Sequence, residues 1–488
     1  MLSWDLRDFI SDLSKLQELK TLDGASCEIE IGTITEIMAE RRGPALLFDN
    51  IVGYEPGRRI LTNLTSTPRR MAVALGLETN LPPLEVARGL KDRLKTFGGI
   101  KPVEVNGGPI KDNILRGDEA QINLFPAPKW HEDDGGPYIG TGCAVVMKDP
   151  DEGWINVGTY RAQVHSPRRL GLYISAGHHG RLISEAYWAR GEDCPVAIVL
   201  GLHPVMLFGS FIAAGWGVSE YETAGGLAGK PVELVKGEIT GLPVPASSEI
   251  VIEGFLPPRT KESHPEGPFG EWTGYYATGA RDEPVVRVEG IMYRDDPIIT
   301  GAAPLKPPAS PEGEYIYRAA SVWHELDKAG VPGINGVWKL PAGGGRYLTV
   351  ISLRQRYPGH ARQAALASMS GSDGAYHGRF VIMVDDDIDP TNENDVLWAI
   401  ATRCDPKASI DVIRRCWSTP LDPTIPPWER EKRNFTNSRA IIDACRPFEW
   451  IAEFPPVNKA SDQIRKKIIE KWTAIFSESS PVVEMGKN

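Results

Sequence analysis

Between Val196 and Val218 the chain runs for 23 residues without an Asp, Glu, Lys or Arg. A stretch of that length and character is long enough to cross a bilayer, so its reading decides between a membrane and a globular protein. The interruptions decide it. His203-Pro204 breaks any helix in mid-course, and Gly201, Gly209, Gly215 and Gly217 punctuate the remainder. VAIVLGL (196–202) reads as a buried strand, followed by a turn and a second apolar segment. No membrane span is expected. Glycine and proline together supply 90 of the 488 residues without a collagen-like period, which signals many turns between short elements. The net charge of −10 argues against nucleic acid as a partner, because phosphate binding needs a basic footprint. Six well-separated cysteines with no CxxC exclude a zinc knuckle or disulfide framework. With no apolar signal core in MLSWDLRDFISDLSKL, the expected compartment is the cytoplasm.

The texture of the chain changes twice. Residues 1–115 mix helix and strand. Leu6, Phe9, Ile10, Leu13 and Leu16 recur at helical spacing, PALLFDN (44–50) and RILTNL (59–64) are strand-like, and 84–97 predicts a helix. Residues 116–310 are β-rich. CAVVMK, VAIVLGL, SSEIVIEG and PVVRVEGIMYR are short runs between Gly/Pro/Asp turns, and only LISEAYWARG (182–191) predicts a helix. A barrel fits this middle part. The proline-rich APLKPPASPEGE (303–314) marks a boundary. Residues 311–488 return to α/β, with strands in RYLTVISLR and RFVIMVDDDIDP, a helix over 394–403, and a terminal helix over 461–476. Ile464, Ile468, Trp472 and Ile475 of that last helix form a stripe that needs a docking surface, in the same subunit or a neighbour.

Several constellations can carry chemistry. Glu266-Gly-Pro-Phe-Gly-Glu271 is a shaped turn holding two carboxylates close together. Carboxylates so held cannot both ionise cheaply, and one that keeps its proton near neutrality can deliver it in a reaction. Read from composition alone, the turn is better taken as a surface turn with two solvated glutamates. Asn156-Val-Gly-Thr-Tyr-Arg161 follows an apparent strand. Five residues separate its ends, which on a regular strand places Asn156 and Arg161 on opposite faces unless a bulge at Gly158 intervenes. A guanidinium suits a bidentate grip on a carboxylate. His178-His179 sits in a Gly-flanked loop, and Glu220 lies in GWGVSEYE. Asn156, His179 and Glu220 together would offer O, N and O ligands, a set suited to manganese or magnesium. The run Asp385-Asp386-Asp387-Ile388-Asp389 lacks EF-hand spacing and reads as a strand end with solvated carboxylates.

These pieces, in order, resemble the UbiD-like family of prenylated-flavin-dependent decarboxylases. They are NVGTYRAQ (156–163), GHHGR (177–181), VSEYE (218–222), VPASSEIVIEG (244–254), EGPFGEWTGYY (266–276), YPGHARQ (357–363), RFVIMVDDDIDP (379–390) and NDVLWAIATRCDP (394–406). The resemblance implies an N-terminal α/β region (1–115), a central split β-barrel flavin domain (116–310), and a C-terminal α/β oligomerisation domain with a terminal helix (311–488). It implies prenylated FMN, made by a flavin prenyltransferase and held through Mn2+ (or Mg2+) with a nearby K+. Asn156, His179 and Glu220 match the metal ligands. Asn156, Gly158, Thr159, Tyr160, Arg161, His178, His179, Glu220 and Arg379 match cofactor-contacting positions. Arg161, Glu266 and Glu271 match the catalytic Glu-Arg-Glu network, with Glu271 as proton donor. Arg379 stands where several relatives have lysine near the flavin phosphate. The implied activity is reversible, non-oxidative decarboxylation of an aromatic, heteroaromatic or α,β-unsaturated carboxylic acid by a homodimer or higher homo-oligomer. The alternatives are a flavin reductase-like oxidoreductase using ordinary FMN, a non-catalytic subunit of a multi-chain carboxylase, and a metallohydrolase built on Asn156, His179 and Glu220.

Overall fold

The uncharged stretch is a strand followed by a helix. Cys194–Leu200 is a strand of a ten-stranded sheet, and Pro204–Phe211 is a short helix that begins at the expected break. Val196 to Leu200 are all fully buried, as are Val205 and Met206, which explains the missing charges. A computed structural model describes residues 3–96, 98–175, 177–212 and 215–477. Among them no helix is long and apolar enough to cross a membrane. All six cysteines lie among the described residues and are free.

The ten-stranded sheet runs in the order Tyr138–Gly140, Ala162–Ser166, Arg169–Leu172, Arg281–Tyr293, Ile250–Leu256, Cys194–Leu200, Cys143–Lys148, Ile155–Gly158. Asn113–Arg116 and Ser263–Glu266 pair with the long strand Arg281–Tyr293 off that path. All its pairings are antiparallel, and bulges at Glu253/Gly254 and Arg169/Leu170 bend it around a core containing Val145, Met147, Ile198, Ile252 and Ile291. Strand Ile298–Gly301 leaves this sheet and pairs in parallel with Arg59–Thr62. It thereby completes a four-stranded sheet with Leu19–Asp23 and Ala45–Asp49. That arrangement threads the chain from the middle stretch back into the N-terminal layer.

Helices cover the N-terminal sheet. Leu6–Lys15 starts where Asp5 accepts the Arg7 N–H at 2.8 Å, and buries Leu6, Phe9 and Leu13. The 84–97 expectation is the helix Pro83–Thr96, with Phe97 outside the described residues. In the C-terminal stretch a five-stranded sheet, ordered Ile334–Lys339, Leu348–Leu353, Phe380–Asp385, Thr436–Asp443, Ile410–Trp417, packs on the helices Glu314–Lys328 and His360–Ser370. The acidic run corrects the expectation of solvated carboxylates. Asp385 is buried, and Arg403 donates to Asp385 at 3.2 Å and to Asp387 at 2.9 Å. From Arg446 the chain forms a unit of its own. Its terminal helix is Asp462–Lys471, interrupted at Trp472 and resumed over Thr473–Ser477. Ile464, Ile468, Trp472 and Ile475, the stripe expected to need a docking surface, are exposed.

Candidate active site

Strand Ile155–Gly158 ends where a strand-face argument would put Asn156 and Arg161 apart. The chain leaves the ladder for three residues and re-enters at Ala162. That interruption lets Asn156, Gly158, Thr159, Tyr160 and Arg161 all line one cavity of about 530 Å³. Gly158 is required there, since a Cβ would fall 2.4 Å from the Tyr160 hydroxyl. That hydroxyl accepts from Gly180 N–H at 3.2 Å, and so seats the first turn of the helix His179–Ala189, whose His178 and His179 face the same cavity.

Arg161 is the centre of the site. Its Nε and Nη2 donate to the two oxygens of Glu266 at 2.6 and 2.8 Å, and its Nη1 donates to Glu271 at 2.5 Å. Both carboxyl groups are buried. Three of the five guanidinium donors are used, leaving two N–H bonds for another carboxylate. The group lies over the rings of Tyr173 and Phe269, at 4.7 and 5.1 Å. Burial lowers the Arg161 pKa, but the two glutamates raise it by more, so it stays a cation. Burial pushes the Glu271 carboxyl above its ordinary value, opposed by Arg161. Glu266 sits behind Arg161, with the Tyr138 hydroxyl donating to its Oε1 at 3.0 Å.

The turn between the two glutamates is held by residues outside it. Gly267 N–H donates to Gln163 at 3.0 Å, Gly135 N–H donates to the Pro268 carbonyl at 2.8 Å, and Asp134 accepts from Gly270 N–H and the Tyr276 hydroxyl at 3.3 and 3.1 Å. Gly135 lies so close that a Cβ would stand 2.0 Å from the Gly267 carbonyl oxygen.

At the other side of the lining, Asn156 Nδ2 donates to Glu220 Oε1 at 3.0 Å, and Val157 N–H donates to Oε2 at 2.7 Å. Glu220 begins the helix Glu220–Ala228, capped by Ser219. Burial pushes its pKa up to about 7. Asn156 Oδ1 is buried without a partner. His179 meets the edges of Trp154 and Trp216 at 5.5 and 5.3 Å, and burial lowers its pKa, so its imidazole is neutral at pH 7. Among the described residues no three His, Cys, Asp or Glu side chains converge as a metal cluster; this set has two of those types and an asparagine. An unpartnered amide oxygen, a neutral imidazole and a buried carboxyl nonetheless fit a hard divalent cation.

Arg379 does not join these residues. It pairs with Asp422, lies 4.1 Å over Tyr347, and does not line the cavity. Arg318 and Arg346 also stand on the cavity wall, together with His377. Sequence patterning misses these, together with Glu312, Glu314, Trp272 and Asp373. The one available signal is Trp272, directly after Glu271.

An arginine between two buried carboxyls, on a wall shared with Tyr173, Phe269 and Trp272, has the chemistry to hold an anion and to move a proton. Three sequence profiles extend this to most of the chain. They are the N-terminal (10–93), Rift-related (101–307) and C-terminal (315–444) domains of 3-octaprenyl-4-hydroxybenzoate carboxy-lyase. The chain belongs to the UbiD family. It is 32% identical to a phenolic acid decarboxylase of Streptomyces sp. (strain D7), over 91% of this chain and 92% of that one. Its mixed α/β fold matches the UbiD-class enzyme HmfF from Pelotomaculum thermopropionicum in complex with FMN, with a TM-score of 0.83, 28% identity, and 96% and 99% of the two chains covered. It also matches the closed form of Sedimentibacter hydroxybenzoicus vanillic acid decarboxylase, with a TM-score of 0.83, 29% identity, and 98% and 99% covered.

Proposed function

We propose that the chain is a carboxy-lyase that removes CO2, reversibly and without oxidation, from an aromatic, heteroaromatic or α,β-unsaturated carboxylic acid. The observation that carries this reading is the Arg161 guanidinium joined to Glu266 and Glu271 on the cavity wall. Relatives with FMN and prenylated FMN bound, and relatives acting on phenolic and vanillic acids, support it. Loss of CO2 from an sp² carbon leaves an electron pair that ordinary side chains cannot hold, and prenylated FMN, when bound, supplies the electron sink.

The chain's own residues do the rest. The two unused Arg161 donors grip the substrate carboxylate. Glu266, held by Tyr138 and by two Arg161 donors, fixes the guanidinium plane. Tyr173, Phe269 and Trp272 exclude water and favour a flat substrate. Glu271, whose hold on a proton is strengthened by burial, gives that proton to the carbon that lost CO2. Asn156, His179 and Glu220 would hold Mn2+ or Mg2+ against the cofactor phosphate, with K+ nearby, and Gly158, Thr159, Tyr160 and His178 would line the flavin. The ten-stranded sheet is read as the family's split barrel, flanked by α/β regions over 1–115 and 311–488. A flavin prenyltransferase supplies the cofactor, and the enzyme works as a homodimer or higher homo-oligomer in the cytoplasm. The exposed terminal stripe supports that assembly.

The test is co-production with a flavin prenyltransferase, anaerobic purification, and a panel of aromatic, heteroaromatic and acrylic acids. CO2 release from at least one acid is expected, and reversal under high CO2. No release from a fully loaded enzyme contradicts the reading.

A further inference from the structure

Three further carboxyl groups line the same cavity: Glu312 and Glu314, at the end of the proline-rich bridge, and Asp373. Two are matched by cations. Glu314 accepts from Arg346 Nη2 at 2.7 Å and lies 3.3 Å from Arg318 Nε. Asp373 meets Arg318 and stands 2.9 Å from Lys339 Nζ. The Glu312 side chain has no hydrogen-bond or ion-pair partner among the described residues, and its Oε1 is shielded and unpartnered.

Glu312 is nevertheless pinned. Its carbonyl accepts from the Thr65 hydroxyl at 2.8 Å, and the next residue, Gly313, lies so close that a Cβ would stand 2.2 Å from the Thr65 carbonyl. Glu312 shares this cavity with Arg161 and Glu271. The Arg346 guanidinium lies 4.5 Å over Trp272, and its charge acts on both Glu312 and Glu271.

We propose that Glu312 is a specificity-determining residue that receives a hydroxyl group on the substrate's ring, so that the enzyme prefers hydroxylated acids to their unsubstituted counterparts. The proposal rests on the decarboxylase reading for the word substrate. The chemistry is that of a half-buried carboxyl on the cavity wall, with one oxygen shielded from water and needing a partner. Burial and the neighbouring Glu314 push Glu312 up to about 8, against the pull of Arg346 and Arg318, so near neutrality it offers both a donor and an acceptor. A hydroxyl also offers both, and matches the carboxyl in either protonation state. A bare ring edge leaves the carboxyl unpartnered, which is the situation in which a site discriminates most strongly against the analogue lacking the group.

The experiment uses matched pairs: 3- and 4-hydroxybenzoate against benzoate, and 4-hydroxycinnamate against cinnamate. Binding to the FMN-loaded chain is measured by calorimetry, and kcat/KM is measured on the prenylated-FMN enzyme. Wild type is expected to favour at least one hydroxylated member by about tenfold or more in both readouts. Glu312→Leu is expected to lower that ratio by about tenfold, and Glu312→Gln, which keeps a donor and an acceptor, to retain most of it. Equal binding of every pair by wild type overturns the proposal, and so does a Glu312→Leu ratio equal to wild type. If Glu312→Leu does not fold, the wild-type pairs decide. Turnover of no acid, with tighter binding of a hydroxylated member, overturns the decarboxylase reading and leaves the Glu312 assignment standing.

Discussion

The two sets of residues read from the sequence differ in how complete they are. Around Arg161 every carboxyl has its cation, and Tyr138 supplies a further donor. Around Glu220 the partners run short: Asn156 Oδ1 has none, and the carboxyl is pushed up to about 7 by burial. The first set is preorganised by the fold, as the proposed role in catalysis requires. The second has the donor chemistry of a cation site, whose ligands gain from being deprotonated and filled. Substitutions in the Arg161 set therefore cost stability and turnover together. Substitutions in the Glu220 set cost chiefly cofactor retention.

Arg161→Ala is expected to have the largest effect. It leaves Glu266 and Glu271 buried without their cation, and breaking a buried pair in this way costs roughly 3–5 kcal/mol. Decarboxylation should fall below detection, and the melting temperature of the cofactor-free chain should drop as well. A variant that melts like wild type would break the contrast. Glu271→Gln comes next, with kcat lower by about 10²–10⁴-fold, the range for a lost general acid, while flavin absorbance is retained.

The pH dependence follows from the direction of the Glu271 shift. Its folded pKa lies above the ordinary 4.5, so the folded chain holds this proton longer than the unfolded chain. The contribution of Glu271 to stability therefore declines as pH rises from 4.5 through the raised value. Turnover, which needs the proton, should show its alkaline limb above the ordinary carboxylate range. Thermal melts of wild type and Glu271→Gln across pH check the first point, since Gln removes that share of the slope.

At the Glu220 set, Mn2+ is expected to stabilise wild type by about 2.7 kcal/mol at a hundredfold excess over its Kd, read as a melting shift. Glu220→Gln should abolish that shift without destabilising the metal-free chain, because it removes a buried carboxyl with no cation partner. The smallest expected effect is that of Tyr138→Phe, which removes one 3.0 Å bond to Glu266. A loss of about 1 kcal/mol corresponds to a several-fold drop in kcat/KM.

What the sequence made legible was local. The helix Glu393–Arg403 is set by neighbouring residues, with Asn392 as its cap, and the Glu266–Glu271 turn and the Asn156–Arg161 segment stand out as motifs although distant residues hold them in place. The strand-face rule puts Asn156 and Arg161 apart unless the strand is interrupted at Gly158; the ladder does stop there, with Tyr160 packed on Gly180. Nothing local announces that Ile298–Gly301 returns to the N-terminal sheet, since that pairing depends on Arg59–Thr62, far off in the chain. The cluster of Glu314, Arg318, Lys339, Arg346 and Asp373 is likewise assembled from a helix, a strand, a turn and a second helix. Arg379 shows the converse: it stands out in a motif, while its ion-pair partner Asp422 is one that no motif flags.

The central claim is that Glu271 gives its proton to the carbon from which CO2 departs. The direct measurement is deuterium incorporation in D2O with a substrate acid on the prenylated-FMN enzyme, wild type against Glu271→Gln at equal cofactor loading. The account predicts one deuterium at the former carboxyl position for wild type, and incorporation slower by about 10²-fold or more for the variant. Incorporation at the wild-type rate in Glu271→Gln would contradict it.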